Sequence, residues 1–443
     1  MSVTRKVAQF IINMRFERLP KDVVEQAKKC FLDWLGVALG GSTYPIADIL
    51  VDFVRERHGP GQSSIIGRDA KGDMLNVALA NGAISHVLDF DDTHLGSLCH
   101  VSSPIIPAVL SLAEYHHLSG KDCMTAFVSG FETSAALGLA MGPDHYRAGW
   151  HATSTLGHLG ATAAAGKLSG LNEKQMRNAL GIGATQAGGL QAVFGTMCKP
   201  FHPGKAAMDG ILSAILAKKG FDSAENIFED KGGFFEVFSR QVELAPIEKG
   251  LGNRYQILMN TFKPYASCLL THPAINAALD LKNCREISAQ DIEWINARVS
   301  PLLIRVAAKQ NPKTGLEGKF SIYYCLALAL AEGSVGENMF TTQKMAESLI
   351  TDLQKKITIE INPEFDEATA ELFIKIRDGA VYSQRVSTPK GDPGNPLSFD
   401  ELVQKFSALA STVLDGRKSE AIVDCLNKFE ELQDVTDLVK LCC

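Results

Sequence analysis

The feature that most constrains this chain is the density of glycine and alanine inside segments with helical periodicity. Residues 157–168 read GHLGATAAAGKL. A helix with so few large side chains buries little by itself. It is stable only where neighbouring backbones come close, and small contact residues permit that. Apolar residues also recur at helical spacing over 23–39, 76–88, 104–118, 123–141, 155–168, 173–186 and 205–219. Gly, Pro, Ser or Asn bound each segment, as helix ends require. The first 255 or so residues are therefore predicted to form a tightly packed helical domain.

The pattern changes after Gly252. Segments 291–306, 356–361 and 371–385 carry β-branched residues in partial alternation, as in KITIEI and ELFIKIRDG, which predicts strands. A helical stretch at 320–331 lies between them. The run TPKGDPGNP at 388–396 reads as a turn-rich linker. Helical periodicity returns at 398–415 and 419–432. A chain of 443 residues exceeds what one core usually serves. The expected fold is mainly α. One large helical domain takes residues 1–255 and 398–443, and a smaller α+β lid domain takes 256–397.

Composition narrows the function. The formal net charge is −6, which argues against nucleic acid, whose binding needs a basic surface. An anionic small molecule remains compatible, since a pocket can be locally positive. The ten cysteines are scattered without a CxxC pair, so zinc and iron–sulfur sites are not indicated. Reduced cysteines in a cytoplasmic protein are expected. The opening MSVTRKVAQFIINMRF reads as an amphipathic helix rather than a secretory signal. No uncharged run is both long enough and apolar enough throughout to span a bilayer, so no membrane partner is expected.

The chemistry concentrates in HVLDFDDTHLGSLCH, residues 86–100. If the preceding helix continues, Asp89, Asp92 and Thr93 at i, i+3 and i+4 share a face. A carboxylate at a helix C-terminus meets the negative end of the dipole. That placement raises its pKa and suits a general base. Two other readings stand beside it. One is a solvated acidic turn. The other is a divalent metal held by Asp89, Asp91, Asp92, His94 and His100, although no second acidic motif lies on another helix. His100 precedes a helix opened by Ser103 and Pro104, where free N–H groups favour an anion. The arrangement recurs in GWHATSTLG with His151, and in KPFHPGKAA with Lys199 and His202. If the three converge, the pocket suits a small di- or tricarboxylate. FKPYASCLLTHPA adds Lys263, and KFSIYYCLALAL adds Tyr323 and Tyr324. A tyrosine there is either core or, in a cleft, a proton donor.

Five blocks carry a resemblance. They are NGAISHVLDFDDTH (81–94), GWHATSTLGHLGA (149–161), KPFHPGKAAMDG (199–210), KPYASCLLTHPAINAAL (263–279) and GLEGKFSIYYCLA (315–327). In this order the chain resembles the MmgE/PrpD family, which includes 2-methylcitrate dehydratase, cis-aconitate decarboxylase and iminodisuccinate epimerase. The resemblance implies a helical main domain, an α+β lid, a homodimer, and a site between the domains with no metal or organic cofactor. It implies that Asp89, Thr93, His100, His151, Lys199, Lys263 and Tyr324 line that site. The expected reaction starts with proton abstraction α to a carboxylate, with Asp89 or His151 as base and Tyr324 or His151 as acid. His100, Lys199 and Lys263 would hold carboxylates, with His202 and Thr93 beside them. A 2-methylcitrate dehydratase-like lyase leads, with epimerase and decarboxylase as alternatives. The chain departs from the family pattern at Val101, at Cys268 and in the length of the loop from Thr93 to His100.

Overall fold

The computed structural model describes residues 2–285 and 287–443. Nine helices of the first half are α1 Val3–Asn13, α2 Lys21–Gly41, α3 Pro45–Glu56, α4 Met74–His86, α5 Ser102–His116, α6 Gly120–Arg147, α7 Ala152–Leu168, α8 Glu173–Gln186 and α9 Cys198–Lys218. Then come α10 His272–Arg285, α11 Pro301–Ala307 and α12 Ile322–Glu332, with α13 Phe399–Ala410 and α14 Gly416–Asn427 near the end. The mainly α expectation, with a smaller α+β region, is met.

Close backbone contact is what the small residues supply. A Cβ on Gly82 of α4 would stand 2.7 Å from the Cα of Gly204 on α9. One on Gly204 would stand 2.2 Å from the Leu79 carbonyl oxygen. No real Cβ is tolerated so close, so α4 and α9 cross only because both residues are glycine. Gly210 meets Ala161 the same way, at 2.5 Å, and brings α7 onto α9. These crossings set the ends of α4, α7 and α9 beside one another.

Helix α6 contains a stretch apolar and long enough to cross a membrane, although Glu132 interrupts it with a charge. That stretch is 94% buried within the bundle, where its apolar surface packs against α1, α2, α5 and α7. A central helix satisfies the same length and hydropathy criteria as a span.

The α+β unit holds a four-stranded sheet. Its strands are β1 Ile292–Val299, β2 Ile357–Ile361, β3 Ala370–Ile376 and β4 Val381–Val386. The order is β2-β1-β3-β4, with β1 and β2 parallel and the other pairs antiparallel. The expected strand at 291–306 ends at Val299, because Ser300-Pro301 opens α11. The stretch 371–385 is a hairpin, turned at Gly379 with φ 95°. Helix α13 packs on α2.

Two hydrophobic cores result. One joins α1, α2, α5–α9 and the C-terminal helices. The other joins the sheet and α10–α12 with Val77, Ala80, Ile84, Val87 and Leu88 from the α4 segment. Helix α4 therefore touches both, and its C-terminus lies where they meet.

Candidate functional site

Helix α4 ends at His86, earlier than the helical reading of 76–88. Asp89 then takes φ 50°, a left-handed conformation that Asp adopts more readily than most residues. The chain leaves the helix path there, so Asp89, Asp92 and Thr93 do not share a helical face. Three consecutive carbonyls follow the helix end, and each accepts a hydrogen bond from a different lysine. Lys319 Nζ donates to Leu88 O at 2.6 Å, Lys263 Nζ to Asp89 O at 2.8 Å, and Lys405 Nζ to Phe90 O at 2.6 Å. Cations are favoured at a helix C-terminus. Here they fix the turn that carries the acidic residues.

The turn's electrostatics reverse the expectation for Asp89. Its Oδ1 accepts from Lys199 Nζ at 2.6 Å, and Lys263 Nζ lies 3.3 Å from Oδ2. Burial alone pushes the carboxyl up. Lys199 and Lys263, with His100 and His86, outweigh burial and hold Asp89 well below the usual carboxylate range. An acid so strongly ionised is a poor proton acceptor. Asp89 is better described as the anchor of two lysines than as a base with a raised pKa.

Asp91 organises two histidines. His86 Nδ1 lies 2.8 Å from Asp91 Oδ2, and His100 Nδ1 lies 3.1 Å from the same oxygen. Burial raises the Asp91 carboxyl, but the two imidazoles hold it well below its ordinary value. Burial keeps both histidines low, His86 at about 3. Each is thus neutral near pH 7, with its Nδ1 proton directed to Asp91. His86 then accepts from Lys199 Nζ at Nε2, 2.9 Å away. His100 keeps its Nε2 lone pair, 3.8 Å from Asp89 Oδ1. Its Nδ1 is also 3.3 Å from the Thr93 hydroxyl, and its backbone N–H donates to Thr153.

His151 stands at the N-terminus of α7 and is buried. Its Nδ1 is 2.9 Å from His202 Nδ1. Burial and then Lys199 hold His151 well below its ordinary pKa. Its Nε2 is left for the pocket.

That pocket has a cavity volume of about 50 Å³. Asp89, Thr93, His100, His151 and Lys199 line it. The three recurrent segments therefore converge. Their helices start elsewhere than expected. Helix α5 begins at Ser102, whose N–H and hydroxyl donate to Asp92, so Ser103 is not the cap. Helix α9 begins at Cys198 rather than near Pro203, which puts Lys199 in its first turn.

Three expected site residues do not line the pocket. Lys263 lies behind Asp89, fully buried. His202 lies behind His151. Tyr324 is packed against Phe340 and donates to the Met339 carbonyl at 2.6 Å, so its hydroxyl is not available as an acid there. Tyr146 lines the pocket instead. Burial raises its hydroxyl above the ordinary value, which keeps it a donor. The sequence signals none of Tyr146, His86, Lys319 and Lys405, and it offers Asp91 only as a candidate metal ligand. His86 and Asp91 were in the 86–100 segment, but a helical reading gave no reason to pair them.

The expected cationic character is also corrected. Among the described residues that line the pocket, Lys199 is the only lysine or arginine, and eight of the fifteen are Leu, Val or Phe.

His86, Asp89 and His100 each bring a donor atom within 4.8 Å of the others, a spacing a metal ion could use. The Lys199 ammonium already sits between Asp89 and His86. A divalent ion there would meet that charge at contact distance. Asp92 is engaged by Ser102 and Asn260, and His94 by Ser97. These residues do not fit the metal reading.

Comparison with known proteins follows the same blocks. The model of the MmgE/PrpD N-terminal domain matches residues 5–246, and that of the MmgE/PrpD C-terminal domain matches residues 265–428. Cis-aconitate decarboxylase of Aspergillus terreus is 27% identical, over 99% of this chain and 95% of its own length. Cis-aconitate decarboxylase of Homo sapiens is 27% identical, over 99% and 94%. 2-Methylcitrate dehydratase of Salmonella typhimurium is 22% identical, over 93% and 91%. Family models that match both halves in order place this chain in the MmgE/PrpD family.

Proposed function

We propose that this enzyme is a cofactor-independent lyase that decarboxylates a small unsaturated polycarboxylic acid. The family's lyase chemistry supports the class. The observation that carries the reading is the Asp91–His100 pair beside Lys199 in one pocket, His100 Nε2 and Lys199 Nζ both lying near Asp89 Oδ1. Lys199 holds a carboxylate conjugated with the substrate double bond. The C–C bond to a second carboxylate breaks, and its electron pair moves toward the held carboxylate. Carbon dioxide leaves, and the carbon takes a proton from His100 Nε2. Asp91 stabilises the imidazolium before transfer and fixes the ring. His100 regains its proton from water. Leucines and phenylalanines around the leaving group exclude water, which favours a neutral product over a carboxylate.

Binding supplies the proton. Asp89, Asp91, Lys199 and Lys263 sum to zero charge, two negative and two positive. A polyanion entering beside neutral His100 and His151 raises their proton affinity.

Dehydration is the second reading. His151 and Tyr146 give the same pocket a further proton-transfer position, and relatives include 2-methylcitrate dehydratase. The test is to incubate chelator-treated protein with cis-aconitate, citrate, 2-methylcitrate and iminodisuccinate. Carbon dioxide release and proton NMR are followed. Release of carbon dioxide from an unsaturated acid is expected. An alkene formed without carbon dioxide selects dehydration, and no consumption of any lyase substrate overturns both.

A further inference from the structure

We propose that His202 is the solvent end of a two-histidine relay that passes protons to His151 in the pocket. It is a positioning residue, since it touches no substrate and acts through His151. The proposal rests on the lyase reading above, because loss of carbon dioxide leaves a carbon that takes up one proton per turnover. That proton comes from solvent, and a cavity of about 50 Å³ leaves little room for water beside a bound acid.

Different helices place the two rings. The His151 backbone N–H donates to the Gly189 carbonyl at 3.0 Å, and Phe194 meets the His151 ring edge-to-face at 4.9 Å. His202 follows Lys199 by three residues on α9, so the two share a face. The two Nδ1 atoms stand 2.9 Å apart, with the rings at 46°. His151 is buried and lines the pocket, whereas His202 is half-buried and does not line it. Among the described residues, His202 Nε2 has no hydrogen-bond partner, and it is not one of the polar atoms sealed from solvent. One end of the pair therefore faces substrate and the other faces water.

Burial and then Lys199 hold both imidazoles below their ordinary pKa, His202 at about 4. Both are neutral near pH 7, and a neutral imidazole carries one N–H. Two facing Nδ1 atoms at that distance hold one hydrogen between them, since two lone pairs or two N–H groups repel. Two arrangements satisfy the contact. In the first, His202 Nδ1–H donates to His151 Nδ1, and His151 carries its proton on Nε2 toward the pocket. In the second, His151 Nδ1–H donates to His202 Nδ1, and His202 carries its proton on Nε2 toward water. Passing from first to second releases the His151 Nε2 proton to the pocket, moves one proton across the contact and takes one from solvent at His202 Nε2. Each ring breaks one N–H bond and forms one, so both stay neutral. The released proton recharges His100, which lines the same pocket. The reverse passage resets the pair with a proton from water that enters as product leaves, and the hydroxide so formed departs with that water.

Two measurements on the intact chain test the relay. The first is NMR of protein labelled at its histidine nitrogens, near pH 7. Coupling between His151 Nδ1 and His202 Nδ1 across one shared proton is expected, and it should vanish in His202→Phe, whether or not any acid is turned over. Absence of a shared proton overturns the relay. The second follows carbon dioxide release from cis-aconitate. His202→Ala should lower kcat about 10²-fold with little change in KM, and added imidazole should restore kcat by about tenfold. His202→Phe, which fills the space that imidazole would enter, should show the loss without the rescue. Wild-type kcat in His202→Phe, or a loss in His202→Ala that imidazole leaves unmoved, overturns the relay. A shared proton in a chain that releases no carbon dioxide overturns the decarboxylation reading and leaves the relay standing.

Discussion

Asp91 does more for the proposed chemistry than its neighbours, yet it has no contact with the pocket. It sets the tautomer of both His86 and His100. Asp91→Asn should lower kcat by about 10²–10⁴, the range for a misdirected acid–base group, with a smaller change in KM. Stopped assays on the folded variant check this, and unchanged kcat would contradict it. Lys199 and Asp89 form a buried ion pair. Breaking a buried pair costs about 3–5 kcal/mol when the remaining charge has no partner; without Lys199, Asp89 keeps Lys263 at 3.3 Å, so the loss should be smaller. Lys199→Met should therefore be destabilised, and adding Asp89→Asn should restore neither stability nor activity, because it leaves the buried Lys263 without its carboxylate. Denaturant titration of the two variants and the double variant measures the coupling. The sequence made the cations and carboxylates visible as candidates. It did not show which carboxylate faces the site, because that depends on Asp89 leaving the helix with positive φ. One residue of turn geometry exchanged the parts of Asp91 and Asp92.

The element that matters most is the end of α4. Its last carbonyls lie between two cores and accept from Lys263, Lys319 and Lys405. Each lysine comes from a distant segment, so no local pattern announces the arrangement. Helical periodicity did reveal α4 and α9, and glycine content explains why they cross at Gly82 and Gly204. Lys405→Met removes two charge-assisted hydrogen bonds, to the Phe90 carbonyl and to the buried Asp33 carboxylate, and should cost about 3–5 kcal/mol. Amide exchange should rise locally at residues 87–92, more than in α6. Equal acceleration everywhere would mean that Lys405 supports the fold generally rather than this turn. Asp92 links the same turn to the start of α5 through Ser102. Burial and then Asp33 raise its carboxyl to about 7.

At the scale of the molecule, buried histidines govern the response to acid. Burial holds His86 and His272 at about 3, and His94 and His202 at about 4. Their unfolded values lie near 6.5. The unfolded chain therefore binds more protons below pH 6.5, and stability is lost as pH falls toward those folded values. Asp92 and Glu132, raised to about 7 by burial, act oppositely between about pH 4 and 7. Four histidines outnumber two carboxyls, so the unfolding midpoint should fall as pH is lowered from 6.5 to 4. A flat or rising midpoint would contradict this balance. The mainly α architecture was readable from periodicity. The second core was not, because it joins α4 to the α+β unit across nearly 200 residues of chain.

The central claim is that His100, oriented by Asp91, delivers a solvent proton to substrate carbon in a site without a metal. The most direct measurement is turnover in D₂O of chelator-treated protein, with product examined by NMR. One carbon-bound deuterium is expected per product molecule. Asp91→Asn should slow its appearance by about 10²–10⁴, and no divalent metal should accelerate the wild-type chain. Unlabelled product, or activity that chelation abolishes and one metal restores, would contradict the claim.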